Sequence, residues 1–599
     1  MKLRTSLFLL LSLPMIAMAQ GNGKKVYADY HGVRYSRVTD GKWGRWEMYA
    51  NTEKSATSRK SLCYNTDLID NTGKHEIAAA NYPIVGIHSN LDHDYIEYQI
   101  LSAKVAKIDG FFIEWGFMPH ENDVLLKAMQ KVAQKYNFEI GVNWCDGWLY
   151  YNWITKIYPD IQTREDKTEY MAKCYQYLID NVFSGPTAPI VKGMPVFYHF
   201  GAGAKTDEFA KVLSMIKLPE GMAQPVALRR WADWGTLEND KYMPVRQSDD
   251  MDQWKTLGEI PTAWLPARVR PMDEAHPNFD HYATLDDMIE FMKPFRDSIW
   301  NNTDMGYKIK SGFAMPGMDN SGCAGWGRGH FFYMPRNEGE TYRKMWEFSM
   351  ESKDKLDMMF IASWSDYTEG HEIEPTFENG DRELKTTLQY AAEFKNEKAD
   401  ERGIALPLAL FNLRKESQFL KDCHMETSVL DATLDRAAQC ISTGRYAAAY
   451  GMLSKMANDV NMARQALQPV PMRLRDTQLE ISGKHKGNAY NISETMSIRL
   501  PKQLVSDLNM NNHEGFIYFE YLDKGKEYFF VRSSTKKTPK DIFNVVAKVR
   551  TNDTGEWKKA KIELNKENIT YMLNSPTFYL KGNTMIRNLS LGYNIYKIK

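Results

Sequence analysis

Between residues 26 and 395 the chain alternates short apolar runs with amphipathic segments of helical period, and this alternation limits the fold more than any other feature. The apolar runs fall at 26–30, 108–115, 139–144, 194–199, 225–231, 261–265, 312–316 and 358–362. Helical periodicity fills most of the gaps, at 92–107, 122–136, 167–181, 207–216, 285–299 and 340–350, and a last amphipathic segment at 382–395 closes the series. A strand buried on both faces reads as a continuous apolar run, and parallel strands need crossover helices to return the chain. Eight strand–helix units predict closure into a parallel (β/α)8 barrel, the TIM barrel. A doubly wound open sheet would carry a glycine-rich phosphate turn after an early strand, and Gly110 and Gly116 do not form one.

In a parallel barrel, ligands bind at the carboxyl ends of the strands. The eighth run changes character abruptly there, from Met358-Met359-Phe360-Ile361-Ala362 to Ser363-Trp364-Ser365-Asp366-Tyr367-Thr368-Glu369-Gly370-His371-Glu372. Composition alone leaves two readings of that stretch, a solvated acidic loop or the acid/base centre of a site. The other strand ends favour the site. They bring Asp29 and Tyr30, Glu114 and Trp115, Asn143, Trp144 and Asp146, His199, Trp231 and Asp233, Trp264, and then Asp319 and Trp326. Loops seldom hold so much aromatic area without a use, and aromatic rings serve as platforms for sugars. Trp46, in the long irregular stretch from 31 to 91, and Trp364 and Tyr367 join this set, with that stretch expected as one wall of a cleft.

Composition excludes other classes. Lysine plus arginine and aspartate plus glutamate number 76 each, so no net charge draws the chain to nucleic acid. Residues 1–19 read as a secretory signal peptide: Lys2 and Arg4, the apolar run 7–16, then Ala17-Met18-Ala19 before Gln20. No cysteine follows that cleavage site, so the expectation is an exported protein, periplasmic or secreted, with no lipid anchor and no membrane insertion. The six cysteines are scattered without paired spacing, which argues against a zinc cluster and leaves one or two disulfides possible. His31, His88, His199 and His371 are too dispersed for a metal centre, and no cofactor is expected.

Beyond the barrel, expected over 25–398, residues 399–468 hold a helical pair at 427–442 and 445–458 with alanine-rich faces. Pro469 and Pro471 mark a boundary, and 472–599 alternates strand-forming runs with Gly, Asn and Asp turns, as a β-sandwich does.

The stretch from Trp364 to Pro375 resembles the W-N-D-Y-G-E and E-W-H-E-G-T-x-I-E-P signatures of glycoside hydrolase families 71 and 99. Residues 27–46, with Asp40-Gly41-Lys42-Trp43, resemble the opening Y-Y-x-W…D-G-x-W segment of that group. The stretch from Pro83-Ile84-Val85-Gly86 to Ile108-Asp109-Gly110-Phe111-Phe112-Ile113-Glu114-Trp115 is similar to its P-x-x-G…G-I-D-x-F-x-x-x-W segment. The resemblance spans about 25–395 and implies α-1,3-glucanases or endo-acting α-mannosidases and α-mannanases on (β/α)8 barrels. It places Asp366 and Glu369 on the two catalytic acidic positions. Asp366 agrees with family 71, where family 99 has glutamate; Gly370 and Ile373-Glu374-Pro375 agree with family 99; Ser365 replaces an asparagine.

One carboxyl must be neutral to protonate the leaving oxygen, and the other ionised to activate water or a sugar hydroxyl. Glu369 is taken as the acid and Asp366 as the base, with the reverse order open. Glu372 and Glu374 read as arginine partners or helix caps, and Asp109 as structural. The expected function is an exported glycosidase acting on an oligo- or polysaccharide with α-linkages. The alternative is a carbohydrate-binding protein on a degenerate barrel.

Overall fold

A computed structural model describes residues 23–599 except 48–63, 152–153, 202, 239–240, 247–250, 266–268, 272, 276–278, 324–330, 535–542 and 570–574; for 231–251 it describes the backbone alone. The expected signal peptide, Trp326 and the side chains of Trp231 and Asp233 therefore lie outside the described residues. No helix among the described residues is long and apolar enough to cross a membrane.

The barrel strands are β1 Lys25–Tyr30, β2 Gly110–Trp115, β3 Glu139–Trp144, β4 Met194–His199, β5 Val226–Glu238, β6 Glu259–Ala263, β7 Ser311–Ala314 and β8 Met358–Ile361. They are ordered β7-β8-β1-β2-β3-β4-β5-β6, and every neighbouring pair in that order is parallel. β6 and β7 pack against each other at the seam without a ladder, so the barrel is nearly closed. Around it run α1 His93–Val105, α2 Glu121–Tyr136, α3 Arg164–Leu178, α4 Thr206–Met215, α5 Met251–Thr256, α6 Leu285–Phe295, α7 Glu340–Met350 and α8 Arg382–Lys395. The expected architecture is present, with two local differences. β5 continues past 231 and folds back as a hairpin onto Lys241–Arg246, and β6 starts earlier than expected and ends at Ala263, which places Trp264 beyond the strand.

Side chains on a barrel strand point alternately inward and outward, and the register shows which do which. Asp29 is level with Phe112, Glu114 with Asn143, and Asn143 with Tyr198, and these form the inward set. Trp115 is level with Trp144, Trp144 with His199, and His199 with Arg229, and these face the helices. The interior is filled by aromatic rings: Phe360 meets Tyr198 at 4.7 Å, Phe112 at 6.0 Å and Phe313 at 6.2 Å between centroids.

The helical segment holds three helices, α9 Leu406–Asp422, α10 Ser428–Ser442 and α11 Tyr446–Ala466. They share one continuous apolar core with the barrel. α9 lies on α1, where Arg414 grips Glu97 at 2.7 Å and Lys415 reaches Asp92 at 2.6 Å and Asp94 at 3.0 Å. The C-terminal β-sandwich has two antiparallel sheets around a separate core. Pro469 and Pro471 lie inside its edge strand, Leu467–Arg475, which pairs on one side only with Met585–Ile598. An edge is where a strand tolerates proline, since the missing N–H need not join a ladder. Five described cysteines, Cys145, Cys174, Cys323, Cys423 and Cys440, are buried and form no disulfide.

Phe360→Ala removes a ring at the centre of this packing and leaves a cavity. We expect a loss of about 3–5 kcal/mol, read from the denaturant midpoint with an unchanged slope.

Candidate active site

A cleft of about 300 Å³ opens at the carboxyl ends of the strands. Its polar lining comes from His31, Arg45, Glu114, Asn143, Arg230, Asp366 and Glu369, and its aromatic walls from Trp148, Tyr151, Phe200 and Trp264. Glu114 and Asn143 reach it because they are inward residues at strand ends. His31, Phe200, Trp264, Asp366 and Glu369 reach it from the turns just beyond β1, β4, β6 and β8, and Trp148 from the short helix Gly147–Tyr150 that follows β3.

Asp366 is 2% exposed and is held on both oxygens. Oδ2 faces His31 Nδ1 at 3.1 Å and His371 Nε2 at 3.6 Å, while Oδ1 accepts the Glu369 amide at 3.1 Å and lies 3.6 Å from Arg34. Its own amide donates to Ser363 Oγ at 2.9 Å. Burial opposes its ionisation, but His31 first, then His371, Arg34 and Arg45, outweigh burial and hold the carboxyl well below the usual carboxylate range. His31 mirrors this. Burial disfavours its charge, yet Asp366, Asp29 and Glu114 together raise its pKa from 6.5 to about 10.

Glu369 is the more open of the pair, with a side chain 24% exposed, and its Oε2 lies 3.3 Å from His371 Nε2. A carboxylate oxygen from each of Asp366 and Glu369 and a ring nitrogen of His371 lie within 4.8 Å of one another. The imidazole approaching both acids accounts for that spacing. Across the cleft Glu114 pairs with Arg45 at 2.5 Å and lies 3.7 Å from His31.

Of the residues expected at the site from sequence, the fold brings Glu114, Asn143, Trp264, Asp366 and Glu369 into one cleft. Several others sit in the packing behind it. Tyr30 donates to Gln99 at 2.9 Å, away from the cleft. Trp115 stacks on Tyr177 of α3, and Trp144 meets Tyr175 of the same helix and donates its indole N–H to the Gly116 carbonyl. Both are outward residues of their strands, which is why they face α3. Trp46 and Tyr367 pack on each other at 5.3 Å beneath the Arg34 guanidinium, and Trp364 meets Phe111 at 5.1 Å. Asp319 lines a separate polar depression on the far side of Gly370, with Tyr333, Arg336 and Arg382. Glu372 pairs with Arg336 at 2.7 Å; Glu374 instead accepts from Gln99 at 3.1 Å, and burial raises its pKa to about 7 against the hydrogen bonds it accepts from Gln99, Tyr95 and Tyr367. Asp109 accepts the Val26 amide and pairs with Lys395 at 2.6 Å. The cleft residues that the sequence did not single out include His31, Arg45, Trp148, Tyr151, Phe200 and Arg230; His31, Trp148 and Phe200 follow strand ends by one to four positions, and that offset was the available signal.

Asp146 and His199 form a second charged network, fully buried behind the cleft wall. His199 lies 2.6 Å from Glu259 and 3.2 Å from Asp146, Arg229 pairs with Glu259 at 3.1 Å, and Asp146 accepts the amides of Gly203 and Ala204 at 3.2 and 2.8 Å. Burial disfavours a charged His199, but Glu259 and then Asp146 raise its pKa from 6.5 to about 9. Because the folded value is raised, its stabilisation is complete below about pH 6.5 and is lost as pH rises through about 9. We expect the stability advantage of wild type over His199→Gln, of order 3 kcal/mol at pH 6, to shrink markedly by about pH 9.5 when followed by thermal unfolding. An advantage that does not change with pH would mean the ring is not charged in the fold.

No protein-family model and no curated protein matches the chain. Among solved structures it is similar to the family 99 endo-α-mannosidase from Bacteroides thetaiotaomicron, at 14% identity over 62% of this chain and 97% of that one, with a TM-score of 0.43. It is similar to a glycoside hydrolase-like protein at 12% identity, over 61% of this chain and 94% of that one, with a TM-score of 0.34. It is also similar to the β-glucosidase from Thermotoga maritima at 10% identity, over 63% and 98%, with a TM-score of 0.29. Likenesses of this degree assign the chain neither a family nor an activity.

Proposed function

We propose that the chain is an exported glycoside hydrolase acting on α-linked glycans of the mannan or glucan type, with Asp366 and Glu369 as its working carboxylates. The observation that carries this reading is that the two acids line one cleft at the carboxyl ends of the barrel strands, among rings able to stack on sugar faces. The sequence resemblance supplies the linkage class, and residues 1–19 supply the expectation of export.

The environments of the two acids support a division of roles. Asp366, held ionised by His31, His371 and two arginines, is the base that takes a proton from water or from a sugar hydroxyl. That leaves Glu369, the more exposed of the two, as the acid that protonates the leaving oxygen. Trp148, Tyr151 and Trp264 would bear the apolar faces of the sugar rings, and Arg45, Asn143 and Arg230 their hydroxyls.

A second reading, glycan binding without hydrolysis, is favoured by the engagement of both Asp366 oxygens and by Ser365 in place of the asparagine of the signature. The deciding experiment screens α-mannans, α-1,3-glucans and other α-linked glycans for released reducing ends and, by calorimetry, for binding. We expect Asp366→Asn and Glu369→Gln each to lower kcat/KM by at least about a hundredfold while binding persists. Binding by wild type without release of reducing ends would establish the second reading.

A further inference from the structure

We propose that His31 is a positioning residue for Asp366, oriented from behind by Asp29, so that the carboxylate is clamped by a buried aspartate–imidazolium dyad. This rests on the reading of Asp366 as the base of a glycosidase.

The geometry starts at β1. Asp29 is an inward residue, wholly buried, and accepts the Asn143 amide group at 2.9 Å from β3. Its main-chain carbonyl accepts the Trp364 amide at 2.7 Å, which ties the turn after β8 to the same residue. The chain then turns at His31, whose ring folds back over the mouth. Nε2 lies 2.8 Å from Asp29 Oδ2 and Nδ1 lies 3.1 Å from Asp366 Oδ2. A neutral imidazole has one donor and one acceptor nitrogen, whereas an ionised carboxylate only accepts. A ring placed between two carboxylates therefore satisfies both only as a doubly protonated imidazolium. The other groups facing it agree with that charge. Glu114 of β2 lies 3.7 Å from Nδ1, and Arg34 donates to the His31 carbonyl at 2.6 Å rather than to the ring. Arg45 is taken up by Glu114, and the His371 ring stands edge-on at 6.1 Å.

The clamp has a chemical use. With Oδ2 held by His31 and Oδ1 by the Glu369 amide, the orientation of Asp366 relative to the second carboxylate is fixed before substrate arrives. A histidine that merely filled space could be replaced by glutamine at a cost in stability alone. A positioning imidazolium leaves a mark on proton affinity instead. In its absence the carboxyl of Asp366 loses its strongest opposing charge and becomes easier to protonate.

Two measurements on the full-length protein test this. The first needs no substrate: histidines labelled at Cε1 are titrated by NMR, with the His31 signal assigned by its loss in His31→Gln. We expect His31 to stay charged beyond about pH 8 in wild type and to titrate at lower pH in Asp29→Asn. A His31 that titrates in the ordinary range between about pH 6 and 7 overturns the proposal, whatever the activity. The second uses a glycan that wild type cleaves. His31→Gln should lower kcat by about tenfold or more with KM changed by less than about threefold, and move the acid limb of the pH–rate profile to higher pH. Asp29→Asn should move the limb in the same direction by less. An unmoved limb in both variants overturns the positioning role. Should wild type cleave nothing, a charged His31 in the first measurement keeps the dyad, and the glycosidase reading alone fails.

Discussion

A side chain on a barrel strand has two places to go, and at the mouth of this barrel that choice separates chemistry from packing. At the ends of β2, β3 and β4, one parity carries Glu114, Asn143 and Tyr198 inward, and the other carries Trp115, Trp144 and His199 toward the helices. A shift of one residue in β2 or β3 would exchange the sets, placing an indole over the cleft and Glu114 or Asn143 against α3. The two indoles of the outward set prevent that. Trp115 and Trp144 are wholly buried against Tyr177 and Tyr175, and an acid in their place would lie in an apolar layer without a partner. The register that packs the helices is thus the register that gathers the carboxylates.

The same division organises the charges. Inside, His31 sits between Asp29 and Asp366; outside, His199 sits between Asp146 and Glu259. Each imidazole is flanked by two acids and assisted by arginine, Arg34 in the first case and Arg229 in the second. Buried carboxylates at this density are tolerable only when every charge is countered nearby. The outer network fixes the backbone at Gly203 and Ala204 and so holds the turn after β4, which presents Phe200 and Gly201 to the cleft. The inner one borders the cleft, which His31 and the nearly buried Asp366 line. Similar chemistry serves as scaffold on one face of the sheet and lines the cleft on the other.

This explains which parts were legible in the sequence. Strand and helix positions were, because burial on both faces writes an uninterrupted apolar run and a covering helix writes its own period; α7 and α8 fall at the expected residues. The acidic turn after β8 was legible for the same reason, since its polarity breaks a run that nothing else interrupts. Among the aromatic residues Trp264 lines the cleft, whereas Trp115, Trp144 and Trp364 sit in the packing behind it. Position at a strand end does not say which way a ring points, and Trp115 and Trp144 could be placed only once the register was known. His31 and Arg45 were passed over because the acids they meet at the cleft, Asp366 and Glu114, lie far away in sequence. The hairpin after β5 and the early start of β6 escaped because neither changes the apolar pattern that defines the core.

The stretch between β1 and α1 shows how a long connection can have a fixed conformation without regular structure. Its described part is held from two sides. Toward the barrel, Arg34 donates to Thr368 at 2.7 Å and Trp46 packs on Tyr367, so the turn carrying Asp366 and Glu369 rests on it. Toward the C-terminus, Asp67 accepts the Trp43 indole N–H at 2.6 Å and the Lys548 amide at 3.0 Å, Asn65 accepts the Arg550 amide at 2.9 Å, and Glu47 pairs with Lys548 at 3.0 Å. The β-sandwich therefore braces, through a few charge-assisted bonds, the segment that supplies His31 and Arg45 to the cleft. A domain with its own core, remote in sequence from the acids, still bears on the position of the groups that face them.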